Sequence, residues 1–451
     1  MSMYLKSKQI KDVFFIGIGG ISMSALASFC LKVGVNVFGS DLQKSSITER
    51  LTKEGAKIFY SHKRENLCEC DLVVYSSAIS DDNPELNEAK KRGIELMTRA
   101  EFLSFVLSLH KKSVGVAGCH GKTTTTAMIA NSLICAGVNP TVFLGGEDLH
   151  FSNFRFGGSE VAVSEACEYK KNLLFLNPSV SLVLNVDNDH MDSYADMEDL
   201  TDTFKRFCKG RISVINADDL NSRALFDDST VTFGIKEKAT YTAKNVKFNG
   251  RGYTFTACIY TKPVCRIKLY VSGIHNVYNA LACLSVCHLL GVSPKTVKYA
   301  LENFKGVKRR DEFMGEYNGV KICADYAHHP KEIKTVLEVY KNRTDKLAVI
   351  FQPHTYSRTK LLMPDFICAL KDLQNLVVFK TYPARESYDN SGSAERLAKN
   401  LQNIGANCLY AKNEEQLFLN INSLVGKVDT ILILGAGDVY EIVKGKIEQK
   451  K

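Results

Sequence analysis

No stretch of this 451-residue chain reaches the ~18 to 20 uninterrupted apolar residues that a membrane-spanning helix needs. Sequence repeats, low-complexity tracts and a long linker are missing as well. Charge of one sign is nowhere concentrated: the net +9 is spread along the chain without a tail or a basic run. That distribution suits small anionic substrates and argues against a nucleic-acid partner. The fourteen cysteines have no repeated spacing, and the close pair Cys68 and Cys70 has no second His or Cys pair to complete a zinc site. Reduced thiols in the cytoplasm are the expectation. Lys6, Lys8 and Lys11, the run VFFIGIGGI and Ala25-Leu26-Ala27 outline a signal peptide, but glycines interrupt the run and the same residues make a strand, a glycine turn and a helix.

With 45% hydrophobic and 24% charged residues the chain is an ordinary globular protein, and ~150 residues per domain suggests about three domains. Residues 1–108 alternate apolar strands (VFFIGI, VNVFGSD, DLVVYSSA) with helices near Ile21–Val33 and Ile47–Lys53, the rhythm of a Rossmann-like parallel sheet. Residues 109–305 repeat it around KKSVGVAG, a helix Thr123–Cys135, EVAVSEA, VSLVLNVD and RISVINAD. Between Thr240 and Ser272 polar and apolar residues alternate, predicting antiparallel strands added at a sheet edge. Two helices follow, the second capped by Ser293 with Pro294 in its first turn. Residues 306–451 form another Rossmann-like unit with strands VKICADY, KLAVIFQPH, NLVVFKTY and TILILGAG. The expected fold class is α/β in three domains, the central one of P-loop type.

Two glycine loops carry the chemistry. Gly17, Gly19 and Gly20 follow a strand and open a helix, with Ser22 in place of the third fingerprint glycine and Asp41 after the next strand. The N-H groups of Gly19 to Ile21 would receive a diphosphate, and Asp41 a ribose or sugar hydroxyl. The second loop, GCHGKTTTT, departs from G-x-x-x-x-G-K-[ST] because Val116 stands where a glycine is usual. Its strand-to-helix setting still predicts an anion nest at Gly118 to Gly121, a phosphate-binding Lys122 and a metal-binding hydroxyl on Thr123. The four threonines at a helix start argue for hydroxyl chemistry. Glu165 and the cluster Asp187, Asp189, His190 and Asp192 are the candidate further metal ligands.

FIGIGG, GCHGKTTT, SEACEY, NVDNDHMD, GIHNVYNA, GVKRRDE, ADYAHHPKEI, FQPHTYSRTKLL and YPARE occur in an order that resembles the Mur ligases of peptidoglycan synthesis, in particular their alanine-adding branch. The resemblance spans Val13 to Val439 and explains the two loops, one for a uridine-diphosphate sugar and one for ATP. It implies ATP-dependent ligation of L-alanine to UDP-N-acetylmuramate through an acyl phosphate, with Mg2+ or Mn2+, by a cytoplasmic monomer or weak homodimer. It implies that Gly118, Cys119, His120, Gly121, Lys122, Thr123 and Thr124 bind ATP, with Asn276 at adenine, Asp325 at the ribose and Arg310 at a phosphate. Lys122, Glu165, His190 and Arg310 would act in catalysis, with metal on Thr123, Glu165 and His190. Gly17, Gly19, Gly20, Asp41 and Ser76 would meet the sugar nucleotide, and Tyr326, His328, His354 and Arg358 the amino acid and product. Arg385 is a weaker candidate.

The family commonly has threonine at Cys119 and aspartate at Cys167. A thiol in a cationic loop at a helix start is expected to be acidic and alkylable. Three other readings stay open: a family branch that attaches a tripeptide, a nicotinamide-dependent oxidoreductase from the first loop, and a regulatory ATPase from the second.

Overall fold

The computed structural model describes residues 3–188, 193–384 and 386–449, and the chain divides into two compact units, Met1–Val307 and Lys308–Lys451. The central parallel strands of the three large sheets are short apolar runs buried on both faces, as parallel strands flanked by helices must be.

In the first unit a five-stranded parallel sheet runs in the order Lys57–Phe59, Asn36–Ser40, Asp12–Ile16, Leu72–Tyr75, Glu95–Thr98. Strand order reverses beside Asp12–Ile16, so the first glycine loop leaves at the switch point, where such sheets open a crevice. The second sheet of this unit has ten strands. At its centre Lys112–Ala117 lies between Val161–Glu165 and Val180–Val183, all parallel, which puts the second glycine loop at another switch point.

Helices Ile21–Lys32 and Lys122–Cys135 begin directly after the two loops, close to the predicted bounds. The expected antiparallel addition is present as Tyr241–Phe248, Tyr253–Ile259 and Lys262–Lys268. A hairpin at the opposite edge, Thr141–Asp148 with Ser152–Arg155, was not anticipated. Ser293 caps its helix through the Thr296 N-H, as the sequence predicts.

The unit Lys308–Lys451 contains six strands, five of them parallel, with Glu312–Tyr317 antiparallel at one edge. Sequence patterning missed that strand and Cys408–Ala411. No helix among the described residues is long and apolar enough to cross a membrane.

The two sheets of the first unit share a core. Phe29 packs against Phe143 and Phe156, with ring centroids 6.0 Å from each. Asn153, fully buried, donates to the Ile21 carbonyl (2.6 Å) and the Ser24 hydroxyl (3.0 Å) while accepting from Arg50 (2.8 Å). These bonds fix the first-loop helix to the central sheet. Asn153→Ala removes these three bonds, including the acceptor of the Arg50 guanidinium, and is expected to cost about 2 to 3 kcal/mol, read as a lower urea midpoint for the first unit; an unchanged midpoint contradicts this account.

Candidate active site

Gly118 and Gly121 both have positive φ (135° and 86°), and a Cβ on Gly121 would come within 2.9 Å of Asn279 Oδ1. Asn185, just past the neighbouring strand, braces the loop: its carbonyl accepts from Cys119 N-H, its Oδ1 from His120 N-H (2.9 Å), and its Nδ2 donates to the His120 carbonyl (3.0 Å). The anion nest is therefore narrower than the sequence suggests. It falls to Lys122, Thr123 and Thr124, whose N-H groups lack intrahelical acceptors at the helix start.

Lys122 does not project into solvent. Its ammonium donates to the Gly118 carbonyl (2.6 Å), the Cys119 carbonyl (3.3 Å) and both oxygens of Glu168 (2.9 Å each), and Glu168 is fully buried. Burial favours the neutral amine, but the Glu168 charge outweighs it and holds the Lys122 pKa above its ordinary value. Sequence reasoning did not single out Glu168, whose spacing gives no sign of this pairing.

The Cys119 thiol, expected from sequence to be acidic and alkylable, is buried, and its Sγ lies 3.1 Å from both the Asp187 N-H and carbonyl. Asp187 faces His120 at 3.6 Å. Thr125 and Thr126 are fully buried with no hydroxyl partner among the described residues, which confines hydroxyl chemistry to Thr123 and Thr124.

Glu165 ends its strand next to the glycine pair Gly145-Gly146 and accepts the Gly145 N-H at 2.6 Å. A Cβ on Gly145 would stand 2.8 Å from Glu165 Oε2, and one on Gly146 2.9 Å from Thr123 Cγ2. Two oxygen donors flanking a glycine-lined gap fit a hard cation such as magnesium. His190, the third expected ligand, and Arg385 lie outside the described residues. Among the described residues no three His, Cys, Asp or Glu side chains converge on a metal-sized site.

Asn276 is drawn into the same neighbourhood but spends its amide internally, donating to the Ser272 carbonyl (2.6 Å) and accepting from Asn279 (2.9 Å).

At the first loop, Gly17 (φ 80°) packs beside Ser76, and Asp41 Oδ2 already accepts the Gly19 N-H at 2.9 Å. Gly20 N-H donates to the Gly17 carbonyl. The open N-H groups are thus those of Ile21, Ser22 and Met23, one residue or more further along than predicted.

The second unit gathers Arg310, Tyr326, His328, His354 and Arg358. Arg310 lies over the Tyr326 ring at 5.2 Å, His328 meets Tyr326 at 5.3 Å and His354 at 5.7 Å, and His354 stacks on Tyr382. His354 Nδ1 and Arg358 Nη1 are buried without partners among the described residues. Asp325 accepts the Asp311 and Ala327 N-H groups (2.9 Å each), so both its oxygens are engaged where a ribose contact was expected. Burial lifts its carboxyl to about 6 against the pull of Arg310. Burial also lowers His328 and His354 to about 4 each, with Arg358 reinforcing both, Glu332 opposing at His328 and Glu386 at His354. Both imidazoles are neutral at pH 7.

These features define a class: an α/β protein with two glycine loops at the switch points of two parallel sheets. The family descriptions that match are "Mur ligase family, catalytic domain" over residues 12–111, "Mur ligase middle domain" over 116–287 and "Mur ligase, glutamate ligase domain" over 309–437. The chain belongs to the Mur ligase family. It is 41% identical over 446 residues, 97% of each chain, to the UDP-N-acetylmuramate–L-alanine ligase of Clostridium beijerinckii. The UDP-N-acetylmuramate-alanine ligase structure of Thermotoga maritima superposes with TM-score 0.83 at 30% identity, covering 98% of this chain and 99% of that one. A murein peptide ligase from Psychrobacter arcticus shares the fold at 21% identity and TM-score 0.75, covering 97% and 98%.

Two outcomes are expected. Lys122→Ala and Glu168→Ala each leave a buried charge unpaired and should cost about 3 to 5 kcal/mol, whereas the double variant should cost clearly less than their sum; additive losses in denaturant titrations would contradict the pairing. His328 and His354 should titrate well below the ordinary 6.5, seen as Cε1 resonances in the labelled full chain. Because their folded pKa values are depressed, their contribution to stability is complete above pH 6.5 and is lost toward pH 4. Asp325, shifted upward, opposes this between pH 4 and 6.

Proposed function

We propose that the chain joins L-alanine to the lactyl carboxylate of UDP-N-acetylmuramate at the expense of ATP. The observation that carries this reading is end-to-end similarity to ligases named for that reaction, together with a buried, charge-stabilised Lys122 at the switch point.

In this reading residues 1–108 hold the uridine-diphosphate sugar, 109–305 hold ATP, and 306–451 bring the amino acid. The lactyl carboxylate attacks the γ-phosphorus of ATP and ADP leaves. The alanine amine then attacks the acyl phosphate carbonyl, and the tetrahedral adduct collapses with loss of phosphate and a proton. No protein nucleophile is required; the protein must bring two anions together and hold them in line. Lys122 and the N-H groups of Thr123 and Thr124 neutralise the triphosphate, and Arg310 adds charge at a phosphate. Magnesium, or manganese, held by Thr123, Glu165 and His190, would supply further charge neutralisation between the anions. Arg358, Tyr326, His328 and His354 form the pocket for alanine and product. The fourteen free cysteines suit a reducing cytoplasm.

ADP formation should require UDP-N-acetylmuramate and L-alanine together. Lys122→Ala should lower kcat by about a hundredfold or more, and the tripeptide L-alanyl-γ-D-glutamyl-meso-diaminopimelate should not replace alanine. Turnover with the tripeptide would assign the chain to the peptide-attaching branch, and turnover without any sugar nucleotide would overturn the ligase reading.

A further inference from the structure

Arg310 stands between two residues with left-handed backbones: Arg309 has φ 58° and Asp311 φ 49°. Neither is a glycine, so each conformation is uncommon, and two of them within three residues persist only where the surroundings over-determine them.

The surroundings do so from both sides. Arg309 donates from Nη2 to the Gly435 and Gly437 carbonyls (2.7 and 2.9 Å) and lies over the rings of Tyr326 and Tyr440 at 5.0 Å each. Its N-H donates to Glu312 Oε2 at 2.6 Å, and its carbonyl accepts from the Tyr326 N-H at 2.7 Å. On the other side the Asp311 N-H donates to Asp325 Oδ2 at 2.9 Å. The Asp311 carboxylate accepts three bonds of 2.7 Å: Oδ1 from the Tyr340 hydroxyl and from Arg343 Nη1, Oδ2 from Arg343 Nη2. Tyr340 is buried, and the Arg343 guanidinium lies over its ring at 4.9 Å. By contrast, among the described residues the Arg310 guanidinium makes no hydrogen bond or ion pair; it rests over the Tyr326 ring at 5.2 Å. The flanking residues are spent on holding the turn, and the middle one keeps its donors open.

We infer that Arg343 is a positioning residue: its two-pronged grip on Asp311 holds the left-handed turn that aims Arg310. This rests on the proposed ligase reading, in which Arg310 meets a phosphate, and it names a residue 32 positions from Asp311 that no motif contains. Two parallel N-H···O bonds fix the orientation of the carboxylate as well as its place, which the single bond from Tyr340 does not. Without them Asp311 relaxes toward right-handed backbone, and the direction of the Arg310 side chain turns with it. Both partners of the pair are partly exposed, so its loss registers in the site more than in the stability of the fold.

The test uses the full-length enzyme. Wild-type turnover of UDP-N-acetylmuramate with alanine first checks the reading on which this depends. Independently of turnover, the Asp311 amide hydrogen should exchange about tenfold faster in Arg343→Met; an unchanged rate would overturn the proposal whatever the enzyme makes. In the active enzyme Arg343→Met is expected to lower kcat/KM for ATP by about tenfold, with KM for UDP-N-acetylmuramate within about twofold and the thermal midpoint within about 4 °C. Placed in the Arg310→Met variant, the same substitution should change kcat/KM by less than about twofold, because the group it aims is gone. A full tenfold loss there, or equal losses toward every substrate, would overturn it. Asp311→Asn, which tolerates left-handed backbone and still takes the Tyr340 hydroxyl, should keep more activity than Asp311→Ala; the reverse order contradicts the role given to the turn.

Discussion

A lysine ammonium withdrawn from water beside a fully buried carboxylate is the interaction on which this molecule turns. Left alone, burial would favour a neutral Lys122, and a neutral amine is a poor partner for a triphosphate. Glu168 keeps the charge, and the Gly118 and Cys119 carbonyls hold its direction. The two loop glycines follow from this: only a backbone with positive φ at Gly118 and Gly121 wraps closely enough to present those carbonyls and still start a helix.

The segment from Glu165 to Lys171 shows how much is hung on that pair. Within seven residues it offers Glu165 to the Gly145 N-H, Glu168 to Lys122, Lys170 to the first sheet at Ser77 and Lys171 to Asp199 at 2.6 Å. Lys170 and Lys171 both have left-handed backbone, φ 51° and 56°. For side chains with a Cβ this costs about 1 to 3 kcal/mol each, and it persists because both ends of the kink are tied down. The Tyr194 hydroxyl adds a further tie on the Glu168 carbonyl. Strain here lets one short stretch serve two sheets at once.

Much of this was legible in the sequence, and the reason differs from feature to feature. Parallel strands buried on both faces leave continuous apolar runs, so VFFI, VGVA and LVVY could be read directly. The glycine loops, Lys122 and Thr123 belong to patterns with local mechanisms, and the cluster of Tyr326, His328, His354 and Arg358 comes from motifs that the Mur ligase resemblance supplied. What escaped were partners distant in sequence. Asn185 lies 65 residues from His120, and Glu168 lies 46 from Lys122. The edge strands Glu312–Tyr317 and Cys408–Ala411 are short, the first broken by two glutamates and a glycine, and their pairing depends on a sheet already formed.

The two units treat charge in opposite ways. In the first, buried side chains that can carry charge are paired: Lys122 with Glu168, and Glu85 with His62, Ser40 and Asn66. In the second, burial takes charge away: two imidazoles stay neutral at pH 7, and the Asp325 carboxyl is lifted to about 6. What remains there as firm positive charge is arginine, which burial cannot neutralise. Activating a carboxylate with ATP brings anions together and needs fixed cations. Delivering an amine needs a pocket that does not crowd a second positive charge onto it, and that recognises the amino acid through its carboxylate. In the proposed function neutral histidines set beside Arg358 would meet that need, because an imidazolium in their place would repel the ammonium form of the incoming amino acid and compete with it for the same negative partners.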